Sequence, residues 1–312
     1  MSDAGPRPVP TVYLGTSEFA ATVLRAVAAS PHRPRLVLTP PDRPSGRGRR
    51  LATPPAAAAA AELGIELHQT ESVNREESRA AIASVAPEVG LVCAFGQLIK
   101  DPLLAELPML NLHPSLLPRW RGAAPIERSI MAGDERTGAC VMRLTEGLDS
   151  GPVALREELA IGSDDYGSLA ERLAESGGKL LVEALDRWGE GALGFEEQGE
   201  EGVTYAEKIE AAERRVDPGR AAAAEAARVR ALSPHIGAYV ALDGDDRLGL
   251  RSGEPLGDGP PAGAFAAVDE RLVLGCSPGG LAVAEVQPSG GRWMAAADFL
   301  RGRGLPDPVP SV

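Results

Sequence analysis

Two polar residues at the end of a predicted strand, Asn111 and His113, have the types and spacing that chemistry on a carbonyl group needs. They lie in the stretch NLHPSLLPRWRGAAP, and the residues MLNLH (109–113) predict a strand. Residues i and i+2 of a strand point to the same side, so both side chains can reach one space. An asparagine amide can donate a hydrogen bond to a developing oxyanion, and a histidine can carry a proton.

A third polar residue, Asp149, follows 36 residues after His113, in the glycine-bounded loop TEGLDSGP behind another predicted strand. A carboxylate beside a histidine can hold its tautomer and stabilise its charged form. Together the three residues suit acyl transfer without a serine or cysteine nucleophile, in which an amine attacks a carbonyl, an oxyanion forms and a proton leaves. From residue types alone a structural role is equally open, with Asn111 capping a turn and His113 bonding the backbone.

The elements that must position these residues alternate between strand and helix. Apolar runs without period-two alternation indicate a parallel sheet covered on both faces, which is an α/β fold. Open parallel sheets bind ligands at the carboxyl ends of their strands, which is where Asn111 and His113 lie. The sequence predicts strands over 11–15, 35–39, 65–69, 89–95, 109–113, 138–144 and 151–161, and helices over 15–30, 54–64, 75–85, 124–132 and 168–188.

The pattern changes after residue 189, where a Gly- and Glu-rich stretch with little periodicity predicts an interdomain linker. Beyond it, a helix is predicted over 219–232, and short strands with Gly, Asp and Pro turns indicate a small β-barrel or sandwich. These strands are predicted over 237–242, 247–252, 262–268, 271–276 and 281–287. The expected organisation is a first domain over 1–190, a linker over 191–211 and a second domain over 212–312.

Composition limits the class of protein. The chain has 312 residues, 44% of them hydrophobic, three distant cysteines and a net charge of -12. The length suggests two domains, and the cysteine pattern fits reduced thiols in the cytoplasm. We expect a soluble monomer with no metal site, no signal peptide and no membrane span. The acidic charge argues against a protein that coats nucleic acid generally.

A glycine turn after the first strand, LGTSEF, lies where dinucleotide folds bind phosphate. It lacks the Gly-x-Gly-x-x-Gly spacing, and no acidic residue ends the second strand, which finishes LTPP. A tight strand-to-helix turn is therefore the favoured interpretation, and no nucleotide cofactor is predicted.

The string NLHPSLLPRWRGAAPI, followed by GLDSGP, resembles the folate-dependent formyltransferases. The resemblance extends to GTSEFA in the first turn, PDRPSGRGRRL after the second strand, AFGQLI at 94–99 and TYAEKI in the linker. It therefore covers most of residues 11 to 210. Among these enzymes the chain is most similar to those that formylate initiator methionyl-tRNA.

The resemblance implies a Rossmann-like formyltransferase domain followed by an OB-like β-barrel domain. It implies 10-formyltetrahydrofolate as donor and the α-amino group of methionine on initiator tRNA as acceptor, with no metal. Carried over by match, Asn111, His113 and Asp149 occupy the catalytic positions. The four residues of the implied folate-binding turn are Ser115, Leu116, Leu117 and Pro118.

An arginine-rich stretch, PDRPSGRGRR, bears on the acceptor. Its Gly and Pro content predicts a surface loop, and its arginines can make bidentate phosphate contacts. The alternative is that this stretch is a solvent-exposed loop without a binding role. The resemblance implies instead that it is the loop that enters the acceptor stem of the tRNA. The arginines concerned are Arg43, Arg47, Arg49 and Arg50.

Two other functions remain open. One is a formyltransferase for a sugar amine or purine precursor, or a formyl-folate hydrolase, and the arginine loop and barrel-like tail argue against it. The other is a tRNA- or folate-binding protein without activity, against which the intact Asn111, His113 and Asp149 argue. The chain departs from the tRNA-binding pattern at its end, since residues 212–312 hold 11 arginines, no lysine and 13 acidic residues.

Overall fold

The structure is a computed structural model that describes residues 7–45, 50–242 and 246–309. The chain divides into two compact units. The first comprises Met1–Gly122, Thr137–Ala160 and Ala170–Tyr205, and the second Ala123–Arg136, Ile161–Leu169 and Ala206–Val312. Within the described residues, no helix combines the length and apolar character needed to cross a bilayer.

Strands and helices alternate through the first hundred residues, as predicted, except that three strands follow one another after the first helix. Ser17 caps the first helix by accepting from the Ala20 amide, and the second begins at Pro55 and ends before Gly64 in the left-handed conformation. The elements are β1 (Thr11–Gly15), α1 (Glu18–Ala28), β2 (Leu36–Thr39), β3 (Arg43–Ser45), β4 (Arg50–Ala52), α2 (Pro55–Leu63), β5 (Glu66–Gln69), α3 (Glu76–Ser84), β6 (Val89–Cys93), α4 (Leu103–Glu106) and β7 (Met109–His113).

The next elements complete the first unit and contribute one helix, α5, to the second. Two of the short strands here, β8 and β11, were not predicted, because two residues carry no periodicity. The elements are β8 (Arg121–Gly122), α5 (Pro125–Met131), β9 (Arg136–Arg143), β10 (Val153–Ala160), α6 (Tyr166–Gly189) and β11 (Tyr205–Ala206).

A seven-stranded sheet in the order β10-β9-β7-β6-β1-β2-β5 forms the centre of the first unit. The pairs β1–β2, β1–β6, β2–β5 and β6–β7 are parallel. Both faces are buried: Tyr13 and Leu91 belong to one apolar cluster, and their neighbours Leu14 and Val92 to another. The α/β class with a mostly parallel sheet is confirmed.

The sheet departs from the parallel pattern at β7, which pairs with β9 in the antiparallel direction. An apolar strand such as β9 can be buried beside a parallel or an antiparallel neighbour. The sequence therefore does not determine the direction in which β9 runs. The predicted arginine loop also differs, since β3 and β4 form an antiparallel pair in which Arg43 faces Ala52. Arg47 and Arg49 lie outside the described residues.

The second unit contains an antiparallel sheet in the order β12-β13-β16-β15-β14, with β17 beside β16. The five predicted strands are confirmed; β17 and the last helix were not predicted. Val229, Leu250 and Leu281 are among the buried residues of its core. Closure into a barrel stays a prediction. The elements are a 3-10 helix (Ala212–Arg214), α7 (Ala222–Leu232), β12 (Ala238–Ala241), β13 (Arg247–Leu256), β14 (Phe265–Val268), β15 (Arg271–Gly275), β16 (Gly280–Pro288), β17 (Met294–Ala295) and α8 (Ala296–Arg303).

The central strand β7 is held against α6 by a close contact. Leu112 is 1% exposed, and a Cβ atom added to Gly177 of α6 would lie 2.8 Å from the Leu112 Cδ2 atom. Glycine therefore allows the helix to approach β7 closely. Leu112 lies between Asn111 and His113 in sequence, so this packing also sets the position of those two residues.

We expect Leu112→Ala to lower the free energy of unfolding of the first unit by about 2–5 kcal/mol, because it leaves a cavity between β7 and α6. Urea unfolding followed by fluorescence in a Trp293→Phe background measures this, since Trp120 and Trp188 then report on the first unit alone. The control is Leu51→Ala, whose side chain is 72% exposed. Equal shifts in the two variants would contradict the packing described.

Candidate active site

Asn111 and His113 share one side of β7. Their neighbours Leu110 and Leu112 belong to the apolar cluster on one face of the sheet, so the alternate side chains point to the other face. In the register Asn111 lies beside Val92 of β6 and Met142 of β9. Asn111 is 8% and His113 4% exposed. The structure thus brings both residues to one buried space, as predicted.

After His113 the chain folds back so that Trp120 meets the histidine ring. The His113 Nε2 atom lies 2.8 Å from the Trp120 carbonyl oxygen. A carbonyl oxygen only accepts, so Nε2 carries a proton and donates it. Trp120 has φ +63, and its own amide donates to the Thr204 hydroxyl at 2.9 Å.

Asp149 lies in the loop between β9 and β10, on the other side of the ring. Its Oδ2 atom accepts from the Gly122 amide at 2.9 Å and is 3.7 Å from the His113 Nδ1 atom. The predicted proximity of Asp149 to His113 is therefore present. The sequence predicted that Asp149 fixes the tautomer of His113. In the structure the hydrogen bond that fixes the tautomer goes to the Trp120 carbonyl and not to Asp149.

The sequence did not mark Gln198, which reaches the same loop from the stretch predicted as linker. Its Nε2 atom donates to the carbonyl oxygens of Asp149, at 2.8 Å, and Gly151, at 2.7 Å. Its Oε1 atom accepts from the Arg121 Nε atom at 3.0 Å. No motif or periodicity points to this residue, because its partners are backbone groups distant in sequence.

The predicted folate-binding turn is closed on itself. The Ser115 hydroxyl is fully buried and donates to the Arg119 carbonyl oxygen at 2.6 Å, and Leu117 is buried. Leu116 and Pro118 are half-buried. The Ser115 side chain therefore shapes the turn, and the two half-buried residues are the ones that a ligand can reach.

The arginines named from the sequence are placed only in part. The guanidinium of Arg43 lies 3.1 Å from the Glu71 carboxylate, and both side chains are largely exposed. The Arg50 backbone pairs with Ser45 in the β3–β4 hairpin. This hairpin brackets the stretch that contains Arg47 and Arg49.

The cysteines on the two strands beside β7 are not nucleophiles. Burial raises the pKa of Cys93, at the end of β6, to about 12. It also raises the pKa of Cys140, which lies beside His113 in the β7–β9 register, to about 11. Both remain thiols near neutral pH, and a thiol is a poor nucleophile. The polar side chains brought together here are therefore an amide, a histidine and a carboxylate.

In the portions of the chain covered by the structure, no group of three His, Cys, Asp or Glu residues is placed to hold a metal ion.

Comparison with known proteins agrees with this chemistry. Residues 10–185 match the family model described as formyl transferase, and residues 208–304 match the model of the formyl transferase C-terminal domain. The chain is 42% identical to methionyl-tRNA formyltransferase of Methylococcus capsulatus, over 94% of this chain and 97% of that protein. It is 41% identical to the same enzyme of Mesorhizobium japonicum, over 95% and 96%.

Solved structures share the fold at low identity. HypX from Aquifex aeolicus in complex with tetrahydrofolic acid has a TM-score of 0.65 and 17% identity, covering 94% of this chain and 47% of that one. An N-formyltransferase from Helicobacter canadensis, solved with folinic acid and dTDP-3-aminofucose, has a TM-score of 0.65 and 12% identity, covering 88% and 98%.

The geometry predicts the tautomer of His113. We expect the neutral ring to carry its proton on Nε2, because the Trp120 carbonyl only accepts, and we expect the same tautomer in Asp149→Asn. The ¹⁵N chemical shifts of the ring nitrogens distinguish the two tautomers, and His113→Gln assigns the signal. A neutral ring protonated on Nδ1 in the native chain would show that the Trp120 contact does not form.

Proposed function

This chain belongs to the formyl transferase family, and we propose that it transfers the formyl group of 10-formyltetrahydrofolate to the α-amino group of methionyl initiator tRNA. The observation that carries the proposal is the juxtaposition of Asn111, His113 and Asp149 in a chain 42% identical, almost from end to end, to a methionyl-tRNA formyltransferase. Formylation of charged initiator tRNA by the purified protein, with the formyl-folate as donor, is the direct test.

The reaction requires a stabilised oxyanion. The amine nitrogen attacks the formyl carbon, a carbon–nitrogen bond forms, and the carbonyl oxygen becomes negative. The Asn111 amide is the donor we assign to this oxygen, and His113 adds a positive charge beside it once the ring has taken the proton of the amine. A buried donor that is already positioned stabilises such a charge more than water does. The 4–8% exposure of the two side chains meets this condition.

The reaction also requires a proton to move. The amine must lose a proton, and the folate nitrogen must gain one as its bond to the formyl carbon breaks. With Nε2 of His113 donating to Trp120, Nδ1 is the ring nitrogen that takes up and returns this proton. The Asp149 carboxylate, 3.7 Å from Nδ1, stabilises the ring while it is charged.

The co-substrate fits the residues present. A formyl donor supplies an activated carbonyl and a nitrogen leaving group, and it needs hydrogen-bond donors and a proton carrier but no covalent nucleophile. Asn111 and His113 provide these functions. We assign the turn Ser115–Pro118 to folate binding, with Leu116 and Pro118 making contact and Ser115 keeping the turn closed.

The acceptor is assigned through the relatives and the arginine stretch. The solved sugar formyltransferases are only distantly similar and share the fold, whereas the chain is 41–42% identical to methionyl-tRNA formyltransferases along almost its whole length. We propose that Arg43, Arg47, Arg49 and Arg50 contact tRNA phosphates. The domain limits 1–190 and 212–312, a monomeric state and a cytoplasmic location remain predictions.

The catalytic assignment predicts severe losses of turnover. Asn111→Ala and His113→Ala should each lower kcat, and loss of an oxyanion donor typically costs about 10²–10³-fold. Asp149→Asn should also lower kcat strongly, because the charged ring loses its counterion. Glu146→Gln, an exposed carboxylate of the same loop, is the matched control. A variant with near-native turnover would remove that residue from the mechanism.

The tRNA assignment predicts a difference between two arginines. Arg47→Ala should weaken tRNA formylation far more than folate binding and should lower the salt dependence of tRNA affinity by roughly one unit of log–log slope. Arg43→Ala should have a smaller effect, because Arg43 is paired with Glu71. Binding of initiator tRNA at several salt concentrations measures both. An unchanged slope in Arg47→Ala would favour a small-amine acceptor.

A further inference from the structure

We infer that Gln198 is a positioning residue that holds Asp149 opposite His113, an inference that rests on the proposed function. The Gln198 amide makes three hydrogen bonds around the Asp149 loop. Both hydrogens of Nε2 are used, on the carbonyl oxygens of Asp149 and Gly151. Oε1 accepts from the Arg121 guanidinium. A side chain thus joins the loop that carries the carboxylate to the segment that binds it.

The backbone of Asp149 requires such support. Asp149 has φ +45, a conformation that costs energy for a residue with a Cβ atom and persists only where the surroundings hold it. Gly151 lies so near β9 that an added Cβ atom would be 2.0 Å from the Arg143 carbonyl oxygen. Gln198 donates to the carbonyls of both residues, so it holds the loop on either side of its turn.

The segment 120–122 forms the other half of the arrangement. Its Gly122 amide donates to the Asp149 carboxylate, and its Trp120 carbonyl accepts from His113. Arg121, whose guanidinium donates to Gln198, is the residue between Trp120 and Gly122. The hydrogen bonds therefore run from His113 through residues 120–122 and Gln198 to Asp149, whose Oδ2 atom lies 3.7 Å from the His113 Nδ1 atom.

Gln198 is itself held in place by its neighbours. The backbone of Glu196 exchanges two hydrogen bonds with Val153 of β10, at 2.8 and 2.9 Å. The Arg143 guanidinium lies over the ring of Phe195, with its Cζ atom 4.1 Å from the ring centroid. Because the chain is anchored two residues before Gln198, little conformational freedom remains to be lost when the amide binds the loop.

Glutamine suits this position and glutamate does not. A carboxamide donates through nitrogen and accepts through oxygen, whereas an ionised carboxylate only accepts. In Gln198→Glu one carboxylate oxygen would still accept from Arg121. The other would face the carbonyl oxygens of Asp149 and Gly151, and the loop would move away. This substitution changes the donors with almost no change in size.

The experiment compares Gln198→Glu with Glu197→Gln, a matched control at the adjacent exposed position. We expect Gln198→Glu to lower kcat roughly 10- to 100-fold, as displacement of a catalytic group by about 1 Å does. The KM for the formyl donor and the thermal midpoint of unfolding should change little. If the native chain formylates tRNA and Gln198→Glu has native kcat, this inference alone fails; if the native chain does not formylate tRNA, the proposed function fails.

A double-mutant cycle separates positioning from general stability. In an Asp149→Asn background, Gln198→Glu should cause almost no further loss of kcat in single-turnover experiments, because it acts through the carboxylate already removed. An equal loss in both backgrounds would overturn the inference. Should Gln198→Glu fail to fold, Gln198→Ala, which introduces no charge, is judged by the same two criteria.

Discussion

The site depends on the position of one imidazole ring between a carbonyl group and a carboxylate from different parts of the chain. His113 donates through Nε2 to the Trp120 carbonyl, and its Nδ1 atom faces the Asp149 carboxylate. To place the first of these groups, residues 114–120 must fold back over the end of β7. To place the second, the loop after β9 must turn toward β7. The antiparallel β7–β9 pairing, the closed turn at Ser115 and the glycine at 151 all serve this requirement.

Stability and chemistry are coupled through β7, because the two faces of this strand have different tasks. Leu110 and Leu112 are buried in the apolar core, and the close approach of Gly177 holds α6 against them. Asn111 and His113 point the other way, into the site. A strand whose core side is tightly packed has little freedom to shift, so the positions of the proposed catalytic groups are set before substrate binds. Preorganisation of this kind is what stabilisation of an oxyanion requires.

In the proposed mechanism the formyl group passes directly from one substrate to the other. Burial keeps Cys93 and Cys140 protonated, with pKa values of about 12 and 11, so neither thiol competes as a nucleophile. In that mechanism Asn111 and His113 stabilise charge and carry a proton. Specificity for the acceptor is then a property of surfaces outside these groups, which explains how relatives of one fold serve acceptors as different as a sugar amine and a tRNA.

The sequence by itself determined the order of most of the longer strands and helices, since periodicity and capping residues are local signals. It also determined that Asn111 and His113 share a side, because strand geometry alternates, and it indicated Asp149 as their partner. The roles of Trp120 and Gln198 were decided only by the tertiary structure. Trp120 acts through its carbonyl, which every residue possesses, and Gln198 binds backbone groups 47 and 49 residues away. The direction of β9 was likewise decided by the tertiary structure, because a buried apolar strand has the same sequence pattern whether it runs parallel or antiparallel to its neighbour.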